Sequence, residues 1–329
     1  MTSAGRPLPD GGEGARRAGE VSPQTQPALP GRPAITPGGA LTTFFTRGLI
    51  HWLRRRSPAT RDRLARFVAS LAWTLGIRKR VSLDNLRHAF PEKTDVERAA
   101  IARGAYLNMA RAALEAVTAI TLTDEQLAQQ VQVHDWLDLE DRLRASKGTL
   151  VASAHLGSWE LFAEVMSRRG FKMSAVVRPL AGAFNAVVVE ERLKAGVNLV
   201  LQRGAMKGIF AALKRGEAVV QLVDQVLPAK HGVFVPFFNR QASTTPSLSL
   251  AARRTGAPAY VVLAVREGAG LKMFVEGPVP MQTTDDVHAD VTAHTAAITA
   301  IIEKYIRRYP DQWLWLHRRW KVQPPEPLS

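Results

Sequence analysis

Cysteine is absent from this chain of 329 residues. That excludes disulfides, a thiolate nucleophile and any thiolate metal site. No G-x-S-x-G segment occurs either, so there is no turn of the kind that activates a serine. Acyl chemistry on this chain would therefore run by direct attack of an acceptor hydroxyl rather than through a covalent relay. Internal repeats are missing, and the apolar stretches near the front are shorter than the about 20 residues that cross a hydrocarbon core of about 30 Å. Acidic residues are scarce: 29 against 44 basic ones, a net charge of +15. Such a balance favours anionic partners.

What is present is unevenly placed. Residues 1–40 are rich in Pro, Gly and Ala, without periodicity and without the continuous apolar core of a signal peptide, which predicts a disordered tail. Residues 41–80 hold two amphipathic patterns, Phe45, Gly48, Leu49, Trp52 and Leu53, then Leu64, Phe67, Val68, Leu71, Ala72 and Leu75. Between Arg47 and Arg80, ten basic residues face the single Asp62, so this segment carries +9 of the +15. Apolar stripes beside arginines predict helices that lie on a membrane surface without spanning it; packing on the protein's own core is the alternative.

From Val81 to about residue 322 the pattern is that of one large domain, followed by a short tail over 323–329. Asp95 opens a long helical stretch to about Ala119. Strands are predicted at 150–154, 174–178, 199–201, 218–223, 259–264 and 272–275, with helices near 159–169, 182–195, 204–214, 246–254 and 288–308. The alternation predicts an α/β fold with a mixed, largely parallel sheet flanked by helices.

The stretch Thr149-Leu-Val-Ala-Ser-Ala-His155-Leu-Gly157-Ser158-Trp-Glu160 delivers a histidine to a glycine turn at a strand's carboxyl end. Glu160 falls in the first turn of the next helix, where the helix dipole favours its ionised form. His155 reads as a general base and Glu160 as the carboxylate that orients it. The same spacing also fits a helix cap and an ordinary first-turn acid, and taken alone it is not specific. Arg178 follows a second strand, and Asp224 with Gln225 a third; polar residues at strand ends are site candidates in open α/β sheets. Residues 233–238 form an aromatic loop, and Ser243 to Thr245 precede a helix that they could cap or at which they could bind a phosphate, capping being the simpler account. His288, Asp290 and His294 lie on a helix expected to be solvated, at a spacing that does not put both imidazoles on one face, and no metal site is expected. Trp313, Trp315 and Trp320 alternate with Arg318, Arg319 and Lys321. Stacking on nucleic acid, a membrane interface or simple packing would all give that pattern, but no nucleic-acid fold motif accompanies it.

Taken in order, these blocks resemble the bacterial lipid A secondary acyltransferases, the lauroyl and myristoyl transferases, within a glycerolipid-acyltransferase-like superfamily. The resemblance rests on Leu75-Gly-Ile-Arg-Lys-Arg-Val-Ser-Leu-Asp-Asn-Leu-Arg-His-Ala-Phe-Pro91, the His155 to Glu160 motif, Arg178-Pro179, Gln202-Arg-Gly-Ala-Met206, Asp224-Gln225, Val233 to Phe238, Ala251 to Pro258, and Gln312-Trp-Leu-Trp-Leu-His-Arg-Arg-Trp-Lys321. It implies transfer of a fatty acyl chain to a hydroxyl of an anionic glycolipid at the cytoplasmic face of the inner membrane. The donor would be acyl carrier protein, with coenzyme A as the lesser alternative, and no other cofactor is implied. Under it His155 deprotonates the acceptor, Glu160 steadies the imidazolium, Arg178 positions substrate or charge, and Asp224 is a site residue without an assigned role. Backbone N–H groups at Gly157 and Ser158, or Arg178, would supply the oxyanion donors. A lysophospholipid acceptor, or a lipid-binding relative without turnover, would keep the same motif. Many members carry a membrane-spanning helix at the front, where this chain has broken amphipathic stretches.

Overall fold

The computed structural model describes residues 37–325 except 135–136, 179–181 and 269. The expected disordered tail thus lies largely outside the described residues, and helix α1 (Pro37–Arg54) already begins within its last four positions. Helix α2 (Pro58–Thr74) starts where the Ser57 hydroxyl accepts the Thr60 N–H and Pro58 takes a position that needs no donor. Helix α3 (Lys79–Ala89) follows, and α4 (Asp95–Thr118) is opened by a reciprocal cap between Thr94 and Glu97.

The remaining chain builds a seven-stranded sheet from β1 (Val131–His134), β2 (Thr149–Ser153), β3 (Met173–Val177), β4 (Val197–Leu201), β5 (Ala218–Leu222), β8 (Ala259–Glu267) and β9 (Gly270–Val279). Their order is β1-β9-β8-β2-β5-β3-β4, and every pairing is parallel except β8 with β9. Along β2, Leu150 and Ala152 enter one apolar cluster and Val151 the other. Alternation by two therefore feeds both faces of a central strand, which is why its sequence reads as an unbroken apolar run. Helices α5 (Asp124–Gln130), α6 (Leu137–Arg144), α7 (Trp159–Arg168), α8 (Ala183–Lys194), α9 (Ala205–Lys214), α10 (Ser247–Thr255) and α11 (Val287–Arg308) complete the fold.

The stretch expected as an aromatic loop is a hairpin of β6 (Val233–Phe237) and β7 (Arg240–Thr244). Its two-residue turn puts Phe238 and Asn239 at φ 52° and 57°. Positive φ at both central positions matches the twist of a hairpin, but costs strain for a residue as large as phenylalanine. Packing supplies the compensation: Phe238 is buried, with Phe90, Trp315 and Trp320 rings at 5.5, 5.8 and 6.3 Å and the Arg307 guanidinium 4.4 Å above it. The closing tryptophans belong to the same core. Trp313, Trp315 and Trp320 are buried, so of the three readings of that aromatic and basic alternation the structure gives packing. Arg319 is buried with them and donates to the Ser243 carbonyl and the Thr244 hydroxyl. Burial pushes its guanidinium down to about 10, against the opposing pull of Asp224.

Two expectations are corrected. Helix α11 is not solvated at its histidine: His294 is buried, with ring nitrogens on the Ser249 hydroxyl and the Val279 carbonyl, while Asp290 pairs with Arg253. No group of three or more His, Asp or Glu able to hold a metal occurs among the described residues. Second, the alternative of packing on the protein's own core fails for most large apolar side chains of α2, although Trp73 does pack there, edge-on to Tyr106. Ala65 and Ala69 are its buried residues, while Phe67, Val68 and Leu71, with Leu75 and Ile77 just beyond, are exposed. The small side chains let α2 approach α4 closely and turn the large ones outward. No described helix is long and apolar enough to cross a membrane.

Replacing Phe238 by alanine leaves a cavity among three aromatic rings. We expect a loss of about 3–5 kcal/mol, measured by urea unfolding of the purified protein.

Candidate active site

Strands β2 and β5 are parallel neighbours in a fixed register, Thr149 opposite Ala218 through Ser153 opposite Leu222. Continued two residues past each strand, the same offset sets His155 beside Asp224. The His155 backbone N–H donates to Asp224 Oδ2 at 2.8 Å, and ring Nδ1 lies 2.8 Å from Oδ1. The Trp313 indole N–H also donates to Oδ2, at 2.8 Å. Asp224 is buried, which alone would raise its pKa; the adjacent His155 charge and these three hydrogen bonds outweigh burial and hold it at about 2. An ionised carboxylate only accepts, so Nδ1 is the donor, and in the neutral ring Nε2 then presents a lone pair. The side chain of His155 remains 21% exposed, enough to meet a substrate.

The partner of the imidazole is therefore Asp224. Glu160 is turned elsewhere: its carboxylate accepts from the Trp159 indole at 3.0 Å and from Arg192 at 2.5 Å. The two sets still touch, because the Trp159 ring stands edge-on to His155 with centroids 5.1 Å apart. Glu160 thus holds the Trp159 ring beside His155, and no direct bond joins it to the imidazole among the described contacts.

The turn between base and helix is tightly held. Gly157 sits at φ 62°, and a Cβ there would fall 2.0 Å from the Ala264 carbonyl oxygen. Its N–H donates to the Gln312 carbonyl at 3.1 Å, and the Ser158 N–H to the Ala264 carbonyl at 2.7 Å. Both amides expected as oxyanion donors are engaged within the fold, which leaves Arg178 of the three candidates. Sequence reading missed the supports of this turn. Ser158 Oγ donates to Glu115, Arg266 joins Glu115 to Asn108, and the Asn108 amide donates to the Gly157 and Gln312 carbonyls. Those residues come from α4, β8 and the segment after α11, and no local pattern connects them.

On the open side of the base, Gln225 Nε2 lies 3.3 Å from His155 Nε2 and also lines a cavity of about 760 Å³. The cavity walls include Arg178 from the end of β3, Arg78 and Arg80 from the turn into α3, and His317, Arg318 and Lys321 from the last described segment. The N–H of Val226 donates to His317 Nε2 at 3.0 Å, a bond that requires the neutral ring. Burial first, with Arg319 and Arg78 adding to it, pushes His317 down to about 4. Of the residues expected in the site, Arg178 and Gln225 line this cavity, and Gln225 and Asp224 each approach the His155 ring. Gly157, Ser158 and Glu160 support it from behind.

The structure is an α/β fold with a carboxylate-held imidazole at the carboxyl edge of a mostly parallel sheet. The chain belongs to the bacterial lipid A biosynthesis acyltransferases, whose family model matches residues 39–322; it is an acyltransferase. It is 29% identical to the lipid A biosynthesis palmitoleoyltransferase of Escherichia coli K12 over 286 residues, covering 86% of this chain and 92% of that protein. Identity is likewise 29% over 248 residues to the lauroyltransferase of the same organism, 73% of this chain and 78% of the relative. A lipid A biosynthesis acyltransferase of Haemophilus influenzae is 24% identical over 254 residues, 76% of this chain and 79% of that protein.

Two outcomes follow from the geometry. Gly157→Ala combines a forbidden φ with a backbone clash and should cost more than about 2 kcal/mol, seen as a lowered melting temperature. For His317, the unfolded ring takes up a proton near about 6.5, whereas the folded ring stays neutral to about 4. Stability is therefore complete above pH 6.5 and falls as pH drops from there towards 4. Melting temperature against pH should decline less steeply over that window in His317→Gln, which keeps an acceptor for Val226.

Proposed function

We propose that this acyltransferase moves a fatty acyl chain from acyl carrier protein to a hydroxyl of a lipid A precursor at the cytoplasmic face of the inner membrane. One observation carries the reading: a base with its lone pair held ready lies one side chain away from a cationic cavity. In the reaction the acceptor hydroxyl displaces Gln225 from Nε2 and gives up its proton there. The oxygen attacks the thioester carbon, and Arg178 stabilises the oxyanion that forms. Collapse expels the thiol sulfur, which takes the proton back from the imidazolium, so the ester and the free thiol of the carrier are the products. Asp224 remains ionised throughout and favours the imidazolium that appears in the transition state. Glu160, through Arg192 and Trp159, keeps the imidazole from swinging off the line of attack.

Charge and exposure support the donor and the membrane. A chain of net charge +15 suits an acidic carrier protein. Apolar residues of α2 and Phe44, Phe45, Leu49 and Trp52 of α1 are exposed in a segment rich in arginines. Such residues enter the headgroup layer of an anionic bilayer while the arginines meet its phosphates.

Thiol release from acyl carrier protein thioester, measured with lipid A precursor, lysophospholipid or no acceptor, tests the reading. Release should depend on the lipid A precursor; dependence on lysophospholipid instead would replace the acceptor. His155→Ala should lower kcat by about 10³-fold or more and Asp224→Asn by about 10²–10⁴-fold. Glu160→Gln should lower it less than Asp224→Asn. The reverse ranking would return the orienting role to Glu160.

A further inference from the structure

A second histidine, His317, stands near the base with the opposite arrangement of its ring. Val226, the residue after Gln225, donates its backbone N–H to His317 Nε2 at 3.0 Å. An amide N–H has only a proton to give, so Nε2 is the bare nitrogen, and in the neutral ring Nδ1 then carries the proton. Burial is the largest influence keeping that ring neutral. Of the charged groups facing it, Arg319, Arg78 and a protonated His155 act in the same sense and Asp224 acts against them. Nδ1 meets no acceptor among the described residues and is not sealed off by protein, since the ring lines the cavity. The main chain that carries the ring is pinned. The Asn85 amide donates to the Trp315 and His317 carbonyls at 2.8 and 2.7 Å, and the His317 N–H donates to the Leu314 carbonyl at 3.2 Å. A ring held at one nitrogen and along its backbone has little freedom to turn the other nitrogen away.

The reaction needs such a donor. Acyl transfer puts negative charge on the thioester oxygen, and the Gly157 and Ser158 amides are engaged by the Gln312 and Ala264 carbonyls. We infer that His317 is a catalytic hydrogen-bond donor whose Nδ1–H, together with Arg178, stabilises the oxyanion formed during acyl transfer. The inference rests on the proposed function and adds a member to its site. No proton changes hands at His317. As the acceptor oxygen bonds to the carbonyl carbon, the π pair moves onto the carbonyl oxygen and the Nδ1–H contact to it tightens. As the C–S bond breaks, the pair returns to the carbonyl and the contact relaxes, while the acceptor's proton passes through His155 to the sulfur. The two histidines divide the work by tautomer. With a carboxylate on Nδ1, the neutral His155 ring offers a lone pair at Nε2; with an amide on Nε2, His317 offers a proton at Nδ1. Their placement is linked, because Gln225 reaches His155 Nε2 and the next residue anchors His317. A neutral N–H gains strength as charge grows on the oxygen, which is the differential binding that lowers a barrier.

Glutamine and methionine at position 317 separate this role from support of the fold. Glutamine can accept from Val226 through its carbonyl and still offer an amide proton; methionine fills the space with a sulfur that accepts weakly and donates nothing. With acyl carrier protein thioester and lipid A precursor, His317→Met should lower kcat about 10²–10³-fold with both KM values changed only a few-fold, whereas His317→Gln should stay within about tenfold of wild type. Circular dichroism should show all three proteins equally folded at the assay temperature. Nitrogen NMR of histidine-labelled wild-type protein, which needs no variant to fold, should place the His317 proton on Nδ1. Equal kcat in the two variants, a loss confined to KM, or a proton on Nε2 would overturn the inference. Turnover that depends on lysophospholipid in place of the lipid A precursor would refute the proposed acceptor, yet keep this donor as long as the two variants remain apart.

Discussion

One buried carboxylate organises this molecule's working end. Asp224 lies at the exit of β5, where burial makes an unpaired negative charge expensive, and three donors converge on it: the backbone and ring of His155 and the indole of Trp313. The bonds tie two parallel strands to a segment almost ninety residues downstream. A carboxylate held at about 2 also remains an acceptor under any physiological condition, which keeps ring Nδ1 of His155 a donor to it. Further out, the Ser158, Glu115, Arg266 and Asn108 network plays the same part for the turn, with every member satisfied by another.

Much of this was legible beforehand, for reasons that differ by element. The strands at 150–154 and 218–223 announced themselves because a strand covered on both faces is apolar throughout, and polar residues just past their ends stood out against that background. The choice of carboxylate did not follow so easily. Glu160 is near His155 in sequence, while Asp224 is near it only through the register of β2 on β5. The signal was available, since His155 and Asp224 each stand two residues beyond paired strand ends, but it required the two strands to be recognised as neighbours. The hairpin at Phe238 was hidden because its turn lacks the asparagine and glycine pair usual there, its strain being met by aromatic packing. His294 was misread as solvated because periodicity reports which positions share a face, and does not report what covers them.

The α2 face shows the opposite lesson. Its hydrophobic stripe was plain in the sequence, and so was the choice between core and membrane, but the deciding observation is the small residues. Ala65 and Ala69 are buried and Trp73 packs on Tyr106 of α4, while Phe67, Val68 and Leu71 point out. Amphipathic pattern alone gives the width of an apolar stripe; the volume of the residues opposite it determines which side the protein covers.

The closing segment contributes the Trp313 indole to the buried carboxylate, His317 to the Val226 N–H, and Arg318 and Lys321 to the cavity wall. Ribosomes make chains from the amino end, so the sheet and its histidine emerge long before these residues do. A nascent chain halted short of Trp313 holds His155, but Asp224 lacks one of three donors and the cavity lacks a wall. Assembly of this region thus waits on a segment made almost ninety residues after the carboxylate it completes.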